Sequence, residues 1–213
     1  MKKKILIALL LFISLIGCDR QKNDQSEKEN NLNKNETVNV DTNSIVIYEG
    51  NLDAKIQMII YESLTCGHCA DFHKDVYPNL KKNFIDKGLA KIEFRNFPLD
   101  LAALNASKIA HCKNDGNSEI LHFLFDNQKK WVKGSTIEEI NTNLIKLFDS
   151  GKFDIDIYKC ISDKKIEDHI LEDRIEAVKK FNLNATPTLI INNKKFEKPL
   201  NYKNIKKTLE KMI

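Results

Sequence analysis

The order of apolar patterns predicts an α/β fold: a mixed central sheet flanked by helices, with a helical insertion. Three observations carry this. Two short β-rich runs precede a stretch with apolar residues four apart, and a third β-rich run follows it, which makes a β-α-β half. Residues from about 101 to 181 then read almost wholly helical. A strand, a short partner strand and a helix close the chain. By length, residues 45–213 fit one globular domain, and they contain no internal repeat.

The first 17 residues stand apart. Lys2, Lys3 and Lys4 precede a 12-residue apolar run, Ile5–Ile16, which ends in Gly17-Cys18. A basic start, a short apolar core and small residues at its end predict a secretory signal. The run is well short of the roughly 20 residues a membrane-spanning helix needs. Leu15-Ile16-Gly17-Cys18 is similar to a bacterial lipobox, which would make Cys18 a lipidation site. The alternative is an ordinary signal with an incidental cysteine. Residues 18–44 are polar and rich in Asn, Lys, Glu and Asp, and read as a disordered tether or leader. The expected location is the periplasm, as an exported bacterial protein, with Cys18 as a membrane anchor.

Within the domain, Ile45–Tyr48 and Ile56–Tyr61 are the first two strands. Phe72, Val76, Leu80 and Phe84 form a helical stripe, which Pro78 should kink because it removes a backbone donor. Gly88 ends that helix, Leu89–Phe97 returns as a strand, and Pro98 closes it. In the insertion, Ile137, Ile140, Leu144 and Phe148 give one amphipathic face, and Ile166, Ile170 and Ile175 another. Pro187–Ile191 is the next strand, Asn192-Asn193 a hairpin turn, and Lys195–Glu197 the returning strand. Tyr202–Met212 is the last helix.

Cys66-Gly67-His68-Cys69 lies between the second strand and the striped helix. Two thiols spaced this way at a helix start can close into a disulfide and reopen. Free N–H groups and the helix dipole favour a thiolate there. In such motifs the first cysteine falls from about 8.5 to as low as about 3.5. The thiolate is the attacking species, so the motif points to thiol–disulfide exchange. The formal charge of +4 drops to +1 once the three leader lysines are set aside. That balance, with lysines interspersed among acids, argues against a nucleic-acid partner.

CxxC beside a β-α-β pattern is the cue for a thioredoxin fold, and the resemblance runs further. Tyr61–His73 resembles the active-site segment of alphaproteobacterial DsbA-like oxidoreductases, as does Phe94–Asp100. Ala185-Thr186-Pro187-Thr188 resembles the cis-proline loop that faces the CxxC in that superfamily. The resemblance implies that Cys66 forms the mixed disulfide with substrate and Cys69 resolves it. His68 would tune the thiolate by a hydrogen bond or positive charge. A cis Pro187 would present the Thr186 backbone to a bound peptide; the alternative is a trans proline opening an edge strand. The implied partners are reduced or misfolded proteins and a membrane-bound DsbB-like reoxidising, or else reducing, partner. No cofactor is implied, and a monomer is expected because the segment before residue 45 is too short and polar for a dimerisation domain.

The chain also departs from the pattern. Gly67 stands where the best-known periplasmic oxidases carry proline, which loosens the loop. Thr186 is the type found before the cis-proline in isomerases and in some oxidases, so a disulfide isomerase or reductase is a competing reading. Glu62 could influence Cys69, but it reads first as an outward-facing strand carboxylate. Cys112 and Cys160 are left over from the five cysteines and pair as a structural disulfide, with two separately buried thiols as the alternative. A third reading is a copper- or zinc-binding lipoprotein using Cys66, His68, Cys69 and His73. His73, one turn past Cys69, reads instead as a solvated histidine, and the Thr186-Pro187 loop has no place in a metal carrier. Haem attachment fails because Ala70 occupies the histidine position.

Overall fold

The computed structural model describes residues 46–213; the expected leader, Cys18 and the polar segment 18–44 lie outside them. Five strands form one mixed sheet. They are β1 (Ile47–Gly50), β2 (Ile56–Glu62), β3 (Ala90–Asn96), β4 (Thr188–Ile191) and β5 (Lys194–Lys195), in the spatial order β1-β3-β2-β4-β5. β2 and β3 are parallel, joined by the crossover that contains the CxxC helix, and the other pairings are antiparallel. Asn192 and Asn193 both have positive φ, 48° and 63°, which is the backbone that a two-residue hairpin turn requires. At Gly50 (φ 100°) a Cβ would lie 2.5 Å from the Ala90 carbonyl, so only glycine lets β1 approach β3 there.

The helix after the CxxC is broken as its proline requires. It runs as α1 (Gly67–Asp71), a π turn (Phe72–Val76), α2 (Tyr77–Leu80) and a second π turn (Lys81–Ile85). Pro78 sits in the first turn of α2, where its missing N–H costs nothing, and the wider π turn absorbs the mismatch before it. The insertion supplies α3 (Leu101–Ala110), α4 (Glu119–Asp126), α5 (Gln128–Trp131), α6 (Ile137–Phe148), α7 (Ile157–Ser162) and α8 (Lys164–Phe181), and the chain ends in α9 (Tyr202–Leu209). Asp100, Thr136, Asp156, Asp163 and Asn201 cap their helices by accepting from first-turn N–H groups.

Alternation along β2 divides the packing. Ile56, Met58 and Ile60 join the main core, while Tyr61 turns to the other face with Phe97, Ala177, Leu183 and Ile190. Most of the insertion packs into the sheet's core, while Ile166 and Ile170 form a small separate cluster against Leu104. Leu121, Leu124, Trp131, Leu144 and Phe148 belong to the same cluster as the sheet. On α8 the expected stripe is correct at Ile166 and Ile170 but not at Ile175, which is 51% exposed. Ala177 is buried in its place, because seven residues from Ile170 returns to the same helical face and five does not.

Candidate functional site: a cysteine pair at a helix start

Cys66 is the N-cap residue of α1, extended at φ −77°, ψ 120°, and its carbonyl accepts from the Cys69 and Ala70 N–H groups. Its sulfur is half-buried, and Cys69, one turn on, is fully buried. Both are free thiols here. Burial divides their chemistry. A side-chain hydrogen bond from Cys69 pulls the Cys66 thiol down to about 5 against the cost of its own partial burial. The Thr186 contact and the backbone N–H groups of Cys69 and His68 add to that pull. Desolvation drives Cys69 far above the ordinary thiol range; the Cys66 contact and the negative charge of Glu62 push the same way. The Ser63 N–H points at the Cys69 sulfur at 3.5 Å.

The loop carrying Cys66 is fastened from three directions. Its own turn closes through Cys66 N–H to the Ser63 carbonyl at 3.0 Å. The Thr65 hydroxyl donates to Asp100 at 2.7 Å, and the other Asp100 oxygen caps α3. From the insertion, the buried Gln128 amide donates to the carbonyls of Leu64 at 2.8 Å and Cys66 at 2.9 Å. The sequence gives no local signal for Gln128, a polar residue in a Gln-Lys-Lys-Trp turn, because its partners lie more than sixty residues away.

The remaining expected residues are placed as follows. The Thr186–Pro187 peptide is cis, and the Cys66 Sγ lies 3.5 Å from the Thr186 carbonyl. Thr186 and Pro187 line a groove of about 390 Å³ with His68, Asp71, Phe72, Asp75, Val76 and Leu200. The ring of His68 is 88% exposed and faces Asp71 at 3.7 Å; it is the His68 backbone N–H that reaches Cys66. Space beside Gly67 is open, so no steric demand selects glycine there. Cys112 and Cys160 form a disulfide with Cα atoms 5.2 Å apart.

Two expectations are corrected. Glu62 does not face outward: it is 1% exposed at the end of β2, where the covering helices close over that strand end. His73 is not solvated either. At 6% exposure it stacks on Phe125, with ring centroids 4.0 Å apart, and bonds Glu62 at 2.7 Å. It lies four residues past buried Cys69 and four before buried Tyr77, on the inward face of the helix. With His73 on Glu62 and the His68 ring in solvent, the four proposed metal ligands do not converge. Among the described residues no cluster of three or more His, Cys, Asp or Glu is placed to hold a metal.

The comparisons agree with this geometry. A family model described as thioredoxin matches residues 42–211. A Rickettsia bellii protein, provisionally named a protein-disulfide oxidoreductase, is 32% identical over 158 residues, 73% of this chain and 60% of its own length. The chain thus spans about three-fifths of that relative. The crystal structure of Wolbachia pipientis alpha-DsbA1 superposes with a TM-score of 0.68 at 30% identity, covering 78% of this chain and 90% of that one. BdbD of Bacillus subtilis, crystallised in its oxidised form, gives 0.63 at 25% identity, covering 79% and 92%. The chain belongs to the thioredoxin family, among its DsbA-like members.

Proposed function

We propose that this chain is a thiol–disulfide oxidoreductase that introduces disulfide bonds into exported proteins through Cys66 and Cys69. The observation that carries the reading is the contrast between the two sulfurs: one half-exposed and stabilised as an anion, its neighbour buried and held protonated. A substrate thiolate attacks Cys66 of the oxidised pair, the Cys66–Cys69 bond breaks, and Cys69 leaves with the electron pair. A second substrate thiolate then attacks the substrate sulfur of the mixed disulfide, and Cys66 departs as a thiolate. The substrate is oxidised by two electrons and the pair is reduced. A good leaving thiolate at Cys66 favours this direction. A membrane-bound DsbB-like disulfide would restore the pair.

Thr186, Pro187 and the groove beside them are the substrate-binding surface in this reading, and Cys112–Cys160 is a structural bridge. Residues 1–17 act as a lipoprotein-type signal and Cys18 as its lipid anchor, with 18–44 as the tether that stands a monomeric periplasmic domain off the membrane. A Cys66→Ser variant should lose all oxidation of a reduced peptide, and Cys69→Ser should accumulate mixed disulfides. Retained activity in Cys66→Ser would refute the assignment. The reduction potential of the pair separates this reading from an isomerase or reductase, which Thr186 alone also accommodates.

A further inference from the structure

We propose that the outward face of α9 and a rim formed by Leu52, Met212 and Ile213 dock on the anionic headgroups of a phospholipid bilayer. This surface is separate from the cysteine pair and does not depend on its chemistry. Charge is divided unevenly along the described chain. Residues 46–193 carry 20 basic and 22 acidic side chains, a net charge of −2. Residues 194–213 carry seven lysines against two glutamates, a net charge of +5. The excess positive charge of the domain therefore sits in β5, the segment after it and α9. Lys206 pairs with Glu210 at 3.6 Å; among the described residues the other six lysines make no ion pair.

Folding gathers most of these lysines on one flank of the sheet. Lys194 lies opposite Ile191 in the β4–β5 pair and shares its face, which Ile205 and Leu209 of α9 cover. Ile205 and Leu209 are buried, and Lys203 and Lys207 each lie two residues from Ile205, about half a turn round the helix. They therefore stand four apart on the outward stripe, with Lys206 beside them. Lys198 and Lys211 are exposed just before and just after the helix. The Asn83 amide donates to the Tyr202 hydroxyl at 2.8 Å, which fastens the start of α9 to the helix that follows the CxxC.

The helix ends at an apolar rim. Met212 and Ile213 line a cleft of about 240 Å³ with Lys55, Ile56, Gly88 and Leu89, beside the starts of β2 and β3. Ile213 is 63% exposed, Met212 38%, and Leu52, in the turn before β2, 57%. Lys55 and Lys87 are exposed around the same rim, and Asp53 is the carboxylate that lines the cleft. Lysines beside exposed apolar side chains match the boundary where headgroup phosphates meet acyl chains. Nucleic acid is a poorer match. Bases stack on exposed aromatic rings, and the aromatic residues of this stretch, Phe196 and Tyr202, are half-buried. A soluble acidic partner would leave the apolar rim unused. β2 rises about 20 Å from this rim to Glu62, so contact here leaves Cys66 uncovered at the other end.

The test is co-sedimentation of the full chain with vesicles, in a Cys18→Ser background so that no lipid anchor contributes. One set of vesicles is pure phosphatidylcholine, the other equal parts phosphatidylcholine and phosphatidylglycerol. The leader is common to every variant and cancels in the ratios. The chain should prefer the anionic vesicles, and the preference should shrink as salt rises. Lys203→Gln with Lys207→Gln should weaken binding to them by roughly 20-fold, since a lysine at such a surface contributes about fivefold. Lys129→Gln with Lys146→Gln removes the same charge from exposed positions of α5 and α6 and should leave binding nearly unchanged. Met212→Gln with Ile213→Gln should weaken binding severalfold, and to the same extent in high salt. All six positions are exposed, so circular dichroism should show the wild-type fold in each variant. Equal losses in the two lysine pairs, or no preference for anionic vesicles, would overturn the docking surface. Tighter binding to RNA or polyglutamate than to these vesicles would assign the lysines to a soluble polyanion and overturn it as well.

Discussion

Acidification should erase a measurable part of the stability of the reduced protein. The Cys66 thiol falls from an ordinary value of 9.0 to about 5 in the folded chain. A depressed value means that the folded state favours the thiolate. Its contribution is complete above the unfolded value and vanishes as pH drops through the folded one. At pH 7 the folded chain holds the thiolate and the unfolded chain the thiol, a difference of ~2.7 kcal/mol if unscreened. Cys66 is partly open to solvent, and screening reduces this to roughly 1–2 kcal/mol. At pH 4 both states hold the thiol and the term is gone. Urea unfolding in reductant, for wild type and Cys66→Ser at both values, isolates it because the other titrating groups cancel in the difference. The wild-type advantage should be larger at pH 7 by that amount. An advantage constant with pH, or a thiolate absorbance midpoint near 9, would refute the assigned origin of the reactive sulfur.

Other expectations follow from single contacts. Gln128→Leu removes both hydrogen bonds to the active-site loop; the Cys66 carbonyl keeps the Cys69 and Ala70 N–H groups but the buried Leu64 carbonyl loses its Gln128 donor, so the change should cost about 1–3 kcal/mol in thermal or urea unfolding and raise amide exchange at residues 64–66. Replacing Cys112 and Cys160 together by Ala should cost up to ~4 kcal/mol, the chain-entropy value for the loop they enclose, read by the urea midpoint of the oxidised protein. Asp100→Ala removes both the α3 cap and the Thr65 tether, and should lower stability by about 1–2 kcal/mol while loosening Thr65 in hydrogen exchange.

The strands, the broken helix, the Asn-Asn turn and the reactive pair were legible because their signals are local. β-branched runs, a proline, two asparagines and a four-residue spacing each act within one turn of themselves. What escaped was the polar interior. Glu62 reads as solvent-facing by alternation from Tyr61, yet Tyr61 and Glu62 are both buried because helices cover both faces of β2 at its end. Its neighbour His73 shares the inward helical face of Cys69 and Tyr77, four residues away on either side, and reads as solvated by its polarity alone. The partners that stabilise these groups, Glu49 and His122, lie on β1 and α4, far along the chain, and Gln128 reaches its carbonyls from α5. Polar residues buried by partners remote in sequence resemble surface residues until the fold joins them.

That blind spot has a physical counterpart in how the site works. A single helical turn carries the chain from a half-exposed sulfur to a buried one, and the local motif accounts for the first alone. Helix-start N–H groups act on Cys66 wherever such a turn occurs. The state of Cys69 depends on what surrounds it: the burial the fold imposes, and the negative charge of Glu62 at the end of β2. The insertion belongs to the site as well as to the packing: α5 supplies the amide that fixes the loop carrying Cys66.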